Sequence, residues 1–238
     1  MSNFVLVHGA WHGSWCWAGV AAGLRQAGHA VTLIDLPGRG GDPRPHAAIT
    51  FDDYVRRVGD VILRQDTPVV LVGHSMGGIT ITQVAEVMPE RLARLVYVTA
   101  FLPRNGESLL DFTATETETP LHAGIVADPA QGSLTLKSAA VARAAFHHCC
   151  SADHTERALA LLVSEPMAPA ATPVRTSADR FGRVPRWYIE CLQDRAISLA
   201  LQRRMQAALP CERVFQLDTD HSPFLSATAA LTAQLAAS

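Results

Sequence analysis

The chain has 238 residues, 48% of them hydrophobic, and a net charge of −2. Such a chain can bury one large core, and its near-neutral balance offers no footprint for a nucleic-acid backbone or an anionic membrane surface. The five cysteines (Cys16, Cys149, Cys150, Cys191 and Cys211) are odd in number and lack metal-ligand spacing, and Lys137 is the one lysine; a zinc site, a disulfide framework and broad Schiff-base chemistry are not expected.

The opening residues "MSNFVLVHG" read directly as a strand, with no apolar stretch of signal-peptide length. No apolar run approaches the ~20 residues of a membrane span. A soluble cytoplasmic protein is therefore expected.

A strand over 4–7 breaks at His8-Gly9, and a helix over 17–27 closes at Gly28. "HAVTLIDL" is a second strand, followed by the Gly/Pro loop "PGRGGDPRP". Phe51, Tyr54, Val55, Val58, Val61 and Ile62 recur at helical spacing over 51–64. "TPVVLVG" is a third strand, a helix over 77–87 stops before Pro89, and "LARLVYVTAF" is a fourth strand. Continuous Val/Leu/Ile strands alternating with amphipathic helices predict an α/β fold: a mostly parallel sheet with helices on both faces.

The rhythm breaks over 103–183. There "GIVADPAQGSLTL" predicts a hairpin about Asp128-Pro129, and "LKSAAVARAAFHH" and "ADHTERALALLV" predict helices, the second N-capped by Ser151. "SEPMAPAATPVRT" is a proline-rich return. The rhythm resumes with the strands "RWYIECL" and "ERVFQLD", a helix over 198–208 between them, and "SATAALTAQLAA" at the end. We therefore divide the chain into a core, 1–102 with 184–238, and an inserted cap, 103–183, over the carboxyl edge of the sheet, where open α/β sheets bind ligands.

Gly73-His74-Ser75-Met76-Gly77 fits G-x-S-x-G on a strand-to-helix corner. Such an elbow exposes a strained serine, and the glycines leave room where strand and helix nearly touch. The first N–H groups of the following helix face the same point, where they favour a developing oxyanion. A serine nucleophile needs a base and an orienting acid, which follow it in the chain in this architecture, the acid first. His221, in "DTDHSP" after the last strand, is the candidate base. His8 and His74 are expected to shape their own turns, and His147, His148 and His154 to be ordinary residues of the insertion. Asp194, after "RWYIECL", is the favoured acid, with Asp35 the remaining rival and Asp218 and Asp220 read as loop carboxylates. The second oxyanion donor is expected in "HGAWHG", where the N–H of Ala10 would join that of Met76; Trp11 and Phe101 are candidate substrate-binding residues, and Trp15 and Trp17 packing residues. The glycine spacing fits neither a P-loop nor a dinucleotide fingerprint.

"FVLVHGAWHGSWCW", "GHSMGG", "VTAFLPRNG", "FHHCCSAD", "RWYIECLQDRAIS" and "DTDHSPF" together resemble the small plant and bacterial α/β-hydrolases that include salicylate methyl esterases, polyneuridine aldehyde esterase and hydroxynitrile lyases. The similarity is weakest from Asp111 to Ala145. It implies an α/β-hydrolase fold, a triad of Ser75, Asp194 and His221, oxyanion donors at Ala10 and Met76, and hydrolysis of a small, mostly apolar carboxylic ester under a cap. It implies no cofactor; charge, apolar-run length and cysteine spacing speak against nucleic-acid, membrane and metal partners, and a homodimer is left open. Cofactor-free lyases, C–C hydrolases, perhydrolases and slow-turnover receptors share the fold. Cyanohydrin lyases of this kind carry a threonine after the first-strand histidine and a lysine after the last; here those positions hold Gly9 and Ser222.

Overall fold

The structure, a computed structural model, describes residues 1–39 and 41–237; Gly40 of the loop at 37–45 and the terminal Ser238 lie outside the described residues. The first half alternates strand and helix: β1 (Asn3–Val7), α1 (Ala18–Gln26), β2 (Ala30–Ile34), α2 (Phe51–Leu63), β3 (Val69–His74), α3 (Gly77–Val87) and β4 (Leu92–Val98). β3 is buried at every residue, as a central strand covered on both faces must be. Thr50 caps α2 reciprocally with Asp53, and the Phe51-to-Ile62 stripe faces the core.

After β4 the chain leaves the sheet through two short helices, α4 (Leu109–Thr113) and α5 (Pro120–Gly124). The hairpin β5 (Ile125–Asp128) and β6 (Ser133–Leu136) follows, then α6 (Ala139–Phe146) and α7 (Ala152–Leu161), the latter capped by Ser151. The proline-rich return is not featureless: it holds the two-residue strand β7 (Glu165–Pro166), antiparallel to β6, and α8 (Met167–Ala171). The chain re-enters the sheet at β8 (Arg186–Cys191) and ends with α9 (Leu199–Ala208), β9 (Arg213–Leu217), α10 (Pro223–Ser226) and α11 (Thr228–Ala236).

The main sheet runs β2-β1-β3-β4-β8-β9, every neighbouring pair parallel. Two apolar layers cover it. One, beneath α2 and α3, includes Val5, Leu71, Ile81 and Tyr97; the other, beneath α1 and α11, includes Phe4, Val72, Trp17 and Leu231. Strand order reverses between β1 and β3, so the connections after these two strands diverge to opposite faces and open a crevice at their carboxyl ends. Among the described residues no helix is long and apolar enough to cross a membrane.

Candidate active site

Ser75 follows β3 directly with φ of 53°, a left-handed conformation that few non-glycine residues adopt. The neighbouring glycines make this corner feasible. A Cβ on Gly73 would lie 2.8 Å from the carbonyl oxygen of Gly77, and one on Gly77 would lie 2.8 Å from that of His8. On Gly78 it would collide with the Phe101 carbonyl oxygen. The Ser75 carbonyl is tied down in turn by the N–H groups of Gly78 (3.0 Å) and Phe101 (3.1 Å).

The loop after β1 faces this corner so closely that a Cβ on Gly9 would sit 2.6 Å from Cβ of Ser75. His8 sets the plane of its first peptide. Its Nδ1–H donates to the Gly9 carbonyl at 2.8 Å while its Nε2 accepts the Leu36 N–H at 3.1 Å, which fixes one neutral tautomer. In a trans peptide the N–H opposes the C=O, so the Ala10 N–H points away from His8. Neither this N–H nor that of Met76, just before α3, has a hydrogen-bond partner among the described residues.

Asp194 stands three residues beyond β8, and His221 four beyond β9, on adjacent strands. His221 Nδ1–H donates to Asp194 Oδ2 at 2.6 Å, leaving Nε2 as an acceptor. The Asp194 carboxylate is fixed from other sides by the N–H groups of Ala196 (2.6 Å) and Ile197 (2.8 Å) and by the hydroxyl of Thr99. His74, beside Ser75, donates from Nε2 to the His221 carbonyl at 2.8 Å, and the two rings lie 4.6 Å apart. Thr99, held at φ of 37° just past β4, was not expected from sequence; an isolated threonine after a strand carries no motif.

The other candidates fall elsewhere. Asp35 accepts from the N–H and hydroxyl of Ser14 and lies past β2, at the edge of the sheet opposite β9. Asp218 meets the amide of Gln193. Asp220 is fully buried and accepts from the N–H groups of Cys149 and Ser222 and the hydroxyl of Ser226, so it ties the insertion to the histidine loop. His147 is buried against Phe146 and His12, and neither of its ring nitrogens has a hydrogen-bond partner among the described residues.

A cavity of about 400 Å³ opens over Ser75. Ala10, Trp11, Met76 and Phe101 line it at the base, and Leu109, Leu121, Ile125, Leu134 and Met167 line it from the segment between β4 and β8. Its polar side chains include Thr113, Glu116 and His122. Trp17 is buried in the core and Trp15 packs against His12. Among the described residues no cluster of His, Cys, Asp and Glu is arranged to hold a metal ion.

Burial holds several imidazoles neutral. It pushes His8 and His147 down to about 4, and His12 and His74 well below their ordinary 6.5. The unfolded chain takes up these protons near 6.5 and the folded chain does not, so between those values the unfolded state binds more protons and stability falls as pH drops. A tenfold difference in proton affinity between the two states corresponds to about 1.4 kcal/mol. The expected result is a Tm that declines steeply from about pH 6.5 to about pH 4, the interval between the unfolded and folded affinities of His8 and His147, with His12 and His74 adding in the same direction. Thermal unfolding followed by circular dichroism checks it, with a shallower decline in His147→Leu; a pH-independent Tm would contradict the neutral buried state.

Residues 4–234 match the sequence profile of the alpha/beta hydrolase family. Methylesterase 7 of Arabidopsis thaliana is 32% identical, over 98% of this chain and 94% of the relative. Putative methylesterase 11, chloroplastic, of the same plant is 32% identical over 97% of this chain, which spans only 62% of that relative's length. Among solved structures, polyneuridine aldehyde esterase superposes with a TM-score of 0.88 at 26% identity, covering 99% of this chain and 98% of that one. A profile match from β1 into α11, on a parallel sheet whose order reverses beside a strand-to-helix serine, places the chain in the α/β hydrolase family.

Proposed function

We propose that this protein is a serine-dependent carboxylic ester hydrolase acting on small, mostly apolar esters. The observation that carries the reading is the pairing of a left-handed Ser75 at the end of β3 with an imidazole whose Nδ1–H is committed to Asp194, 2.6 Å away. Its Nε2 is thereby kept in the form that can take a proton. The similarity to proteins named methylesterases and to polyneuridine aldehyde esterase supports the same chemistry.

Ser75 Oγ attacks the ester carbonyl carbon as its proton passes to His221 Nε2. The tetrahedral oxyanion is met by the N–H groups of Ala10 and Met76. Collapse breaks the bond to the alcohol oxygen, which leaves with the proton from His221, and an acyl group remains on Ser75. Water then attacks that acyl carbon with His221 again as base, releasing the acid. Asp194 stays ionised and stabilises the imidazolium in both halves. Segment 103–183 acts as the cap: its apolar side chains exclude water and select the substrate, with Trp11 and Phe101 forming the floor. No cofactor enters this scheme, and the substrate is the only partner it requires.

The positions that differ from cyanohydrin lyases favour hydrolysis. A threonine at position 9 would press its Cβ on Ser75, as the 2.6 Å approach of a Gly9 Cβ shows. Departing cyanide needs a nearby cation, and the buried Arg39 is committed to Glu165. p-Nitrophenyl acetate and longer-chain homologues should be hydrolysed, while mandelonitrile should release cyanide only at the uncatalysed rate. Both assays belong on one preparation with Ser75→Ala as the blank. Serine-dependent cyanide release without ester cleavage would overturn the reading.

A further inference from the structure

Trp11 carries φ of 59°, a conformation unfavourable for so bulky a side chain. Each of its polar groups is bonded to the segment between β4 and β8 and none to the core. Its N–H donates to Glu165 Oε2 at 2.9 Å, its carbonyl accepts the Val163 N–H at 3.0 Å, and its indole Nε1–H donates to the Leu134 carbonyl at 3.1 Å. Glu165 itself is fully buried and is shared by two core side chains: the guanidinium of Arg39 holds Oε2, and the hydroxyl of Tyr54 donates to Oε1 at 2.7 Å. Arg39 also donates from Nε to the His12 carbonyl at 2.9 Å. One carboxylate thus gathers β7, α2, the loop after β2 and the loop after β1.

We propose that Glu165 is a positioning residue for ester hydrolysis, holding the loop after β1 so that the Ala10 N–H meets the oxyanion. The geometry fixes that loop one peptide at a time. His8 fixes the Gly9 carbonyl, and so the direction of the Ala10 N–H; the Ala10–Trp11 peptide is held at its C=O by His12 Nδ1–H (2.9 Å) and at its N–H by Glu165. Without the carboxylate, the strained Trp11 is free to relax towards negative φ, and the rotation is passed to Ala10 through the peptide they share. The Ala10 donor is needed most once negative charge has formed. Its misplacement lowers kcat while leaving substrate binding nearly intact. Arg39 and Tyr54 hold the carboxylate in its outstretched position. The cap and the oxyanion loop are in this way one mechanical unit.

This inference rests on the esterase reading, and the two fail differently. Two variants are compared with the wild type on p-nitrophenyl acetate. Glu165→Gln keeps the shape and an oxygen that can accept the Trp11 N–H, with its NH₂ towards the Tyr54 hydroxyl, but leaves Arg39 buried without its counter-charge. The double variant Arg39→Leu/Glu165→Leu removes both charges together, an exchange that often leaves stability intact, and takes away the acceptor for the Trp11 N–H. Loss of one oxyanion donor costs about 10²–10³ in kcat. A displaced donor should cost roughly tenfold or more in kcat in the double variant, with KM changed by less than about threefold, whereas folded Glu165→Gln should stay within about threefold of wild type. Affinity for a trifluoromethyl ketone, whose serine adduct carries the oxyanion, should fall by the same factor as kcat/KM. Affinity for the product alcohol should not change.

A purely structural role predicts something else: a lower Tm, with normal kcat and normal ketone affinity per folded, phosphonate-labelled site. Normal values in the folded double variant overturn the proposal. Should the double variant not fold, Glu165→Ala titrated for labelled sites decides alone. A wild type that neither cleaves the ester nor takes the phosphonate would instead defeat the esterase reading.

Discussion

Ser75→Ala should lower kcat on p-nitrophenyl acetate by about 10⁵- to 10⁶-fold, with little change in Tm. Removing the nucleophile of a triad leaves only the residual rate given by oxyanion stabilisation and binding. Stability should survive because the Ser75 side chain makes no hydrogen bond among the described residues, while its backbone is held by Gly78, Phe101 and Val98. Alanine at φ of 53° retains the strain already present, and the deletion leaves a space of one hydroxyl facing the cavity. Intact mass after exposure to a serine-directed phosphonate separates this from misfolding: the wild type gains one adduct and the variant none. Equal labelling of both proteins would place the nucleophile elsewhere.

Much of the scaffold was legible because its signals are local. α3 begins at Gly77 and ends at Val87, as glycines at one end and Pro89 at the other dictate, and the hairpin of β5 and β6 turns about Asp128-Pro129. What escaped the sequence was either short or distant. α4 and α5 have five residues each, less than two turns, so no apolar period could announce them; α4 is held by a reciprocal cap of Ser108 with Asp111, and α5 by Thr119. Glu165 and Arg39 are 126 positions apart, and Thr99 and Asp194 are 95 apart. Nothing in either neighbourhood signals a partner at that range. Asp194 is favoured over Asp35 by the chain order serine, acid, histidine and by an assumed strand order, which the sequence alone does not display. The observed order puts β8 beside β9 and β2 at the far edge, with about 4.8 Å between each pair of neighbours.

That order makes the choice of acid a quantitative test. Asp194→Asn should lower kcat by about 10⁴-fold, the cost of fixing the imidazole in the wrong tautomer. The mechanism can be traced atom by atom. In the wild type one carboxylate oxygen accepts the N–H groups of Ala196 and Ile197, while the other faces His221 Nδ1 and the Thr99 hydroxyl. An asparagine must keep its carbonyl oxygen on the two backbone donors, so its NH₂ turns to His221. Nδ1 then becomes the acceptor, the ring proton moves to Nε2, and the atom that should take the serine proton already carries one. Thr99, which donates to the carboxylate, can rotate its hydroxyl to accept from the amide, so the fold has no reason to reject the substitution. Asp35→Asn disturbs only the start of the turn at Ser14, and Asp220→Asn keeps an acceptor for the Ser222 N–H and the Ser226 hydroxyl, giving up only the bond from the Cys149 N–H, away from the His221 ring. Each should stay within about tenfold of wild type, as changes outside the reacting atoms do when they leave the imidazole tautomer alone. Measured side by side on one ester, kcat/KM should therefore rank Asp194→Asn far below the other two. A deeper loss in Asp35→Asn or Asp220→Asn would transfer the orienting role to that carboxylate, and with it the proton path from Ser75.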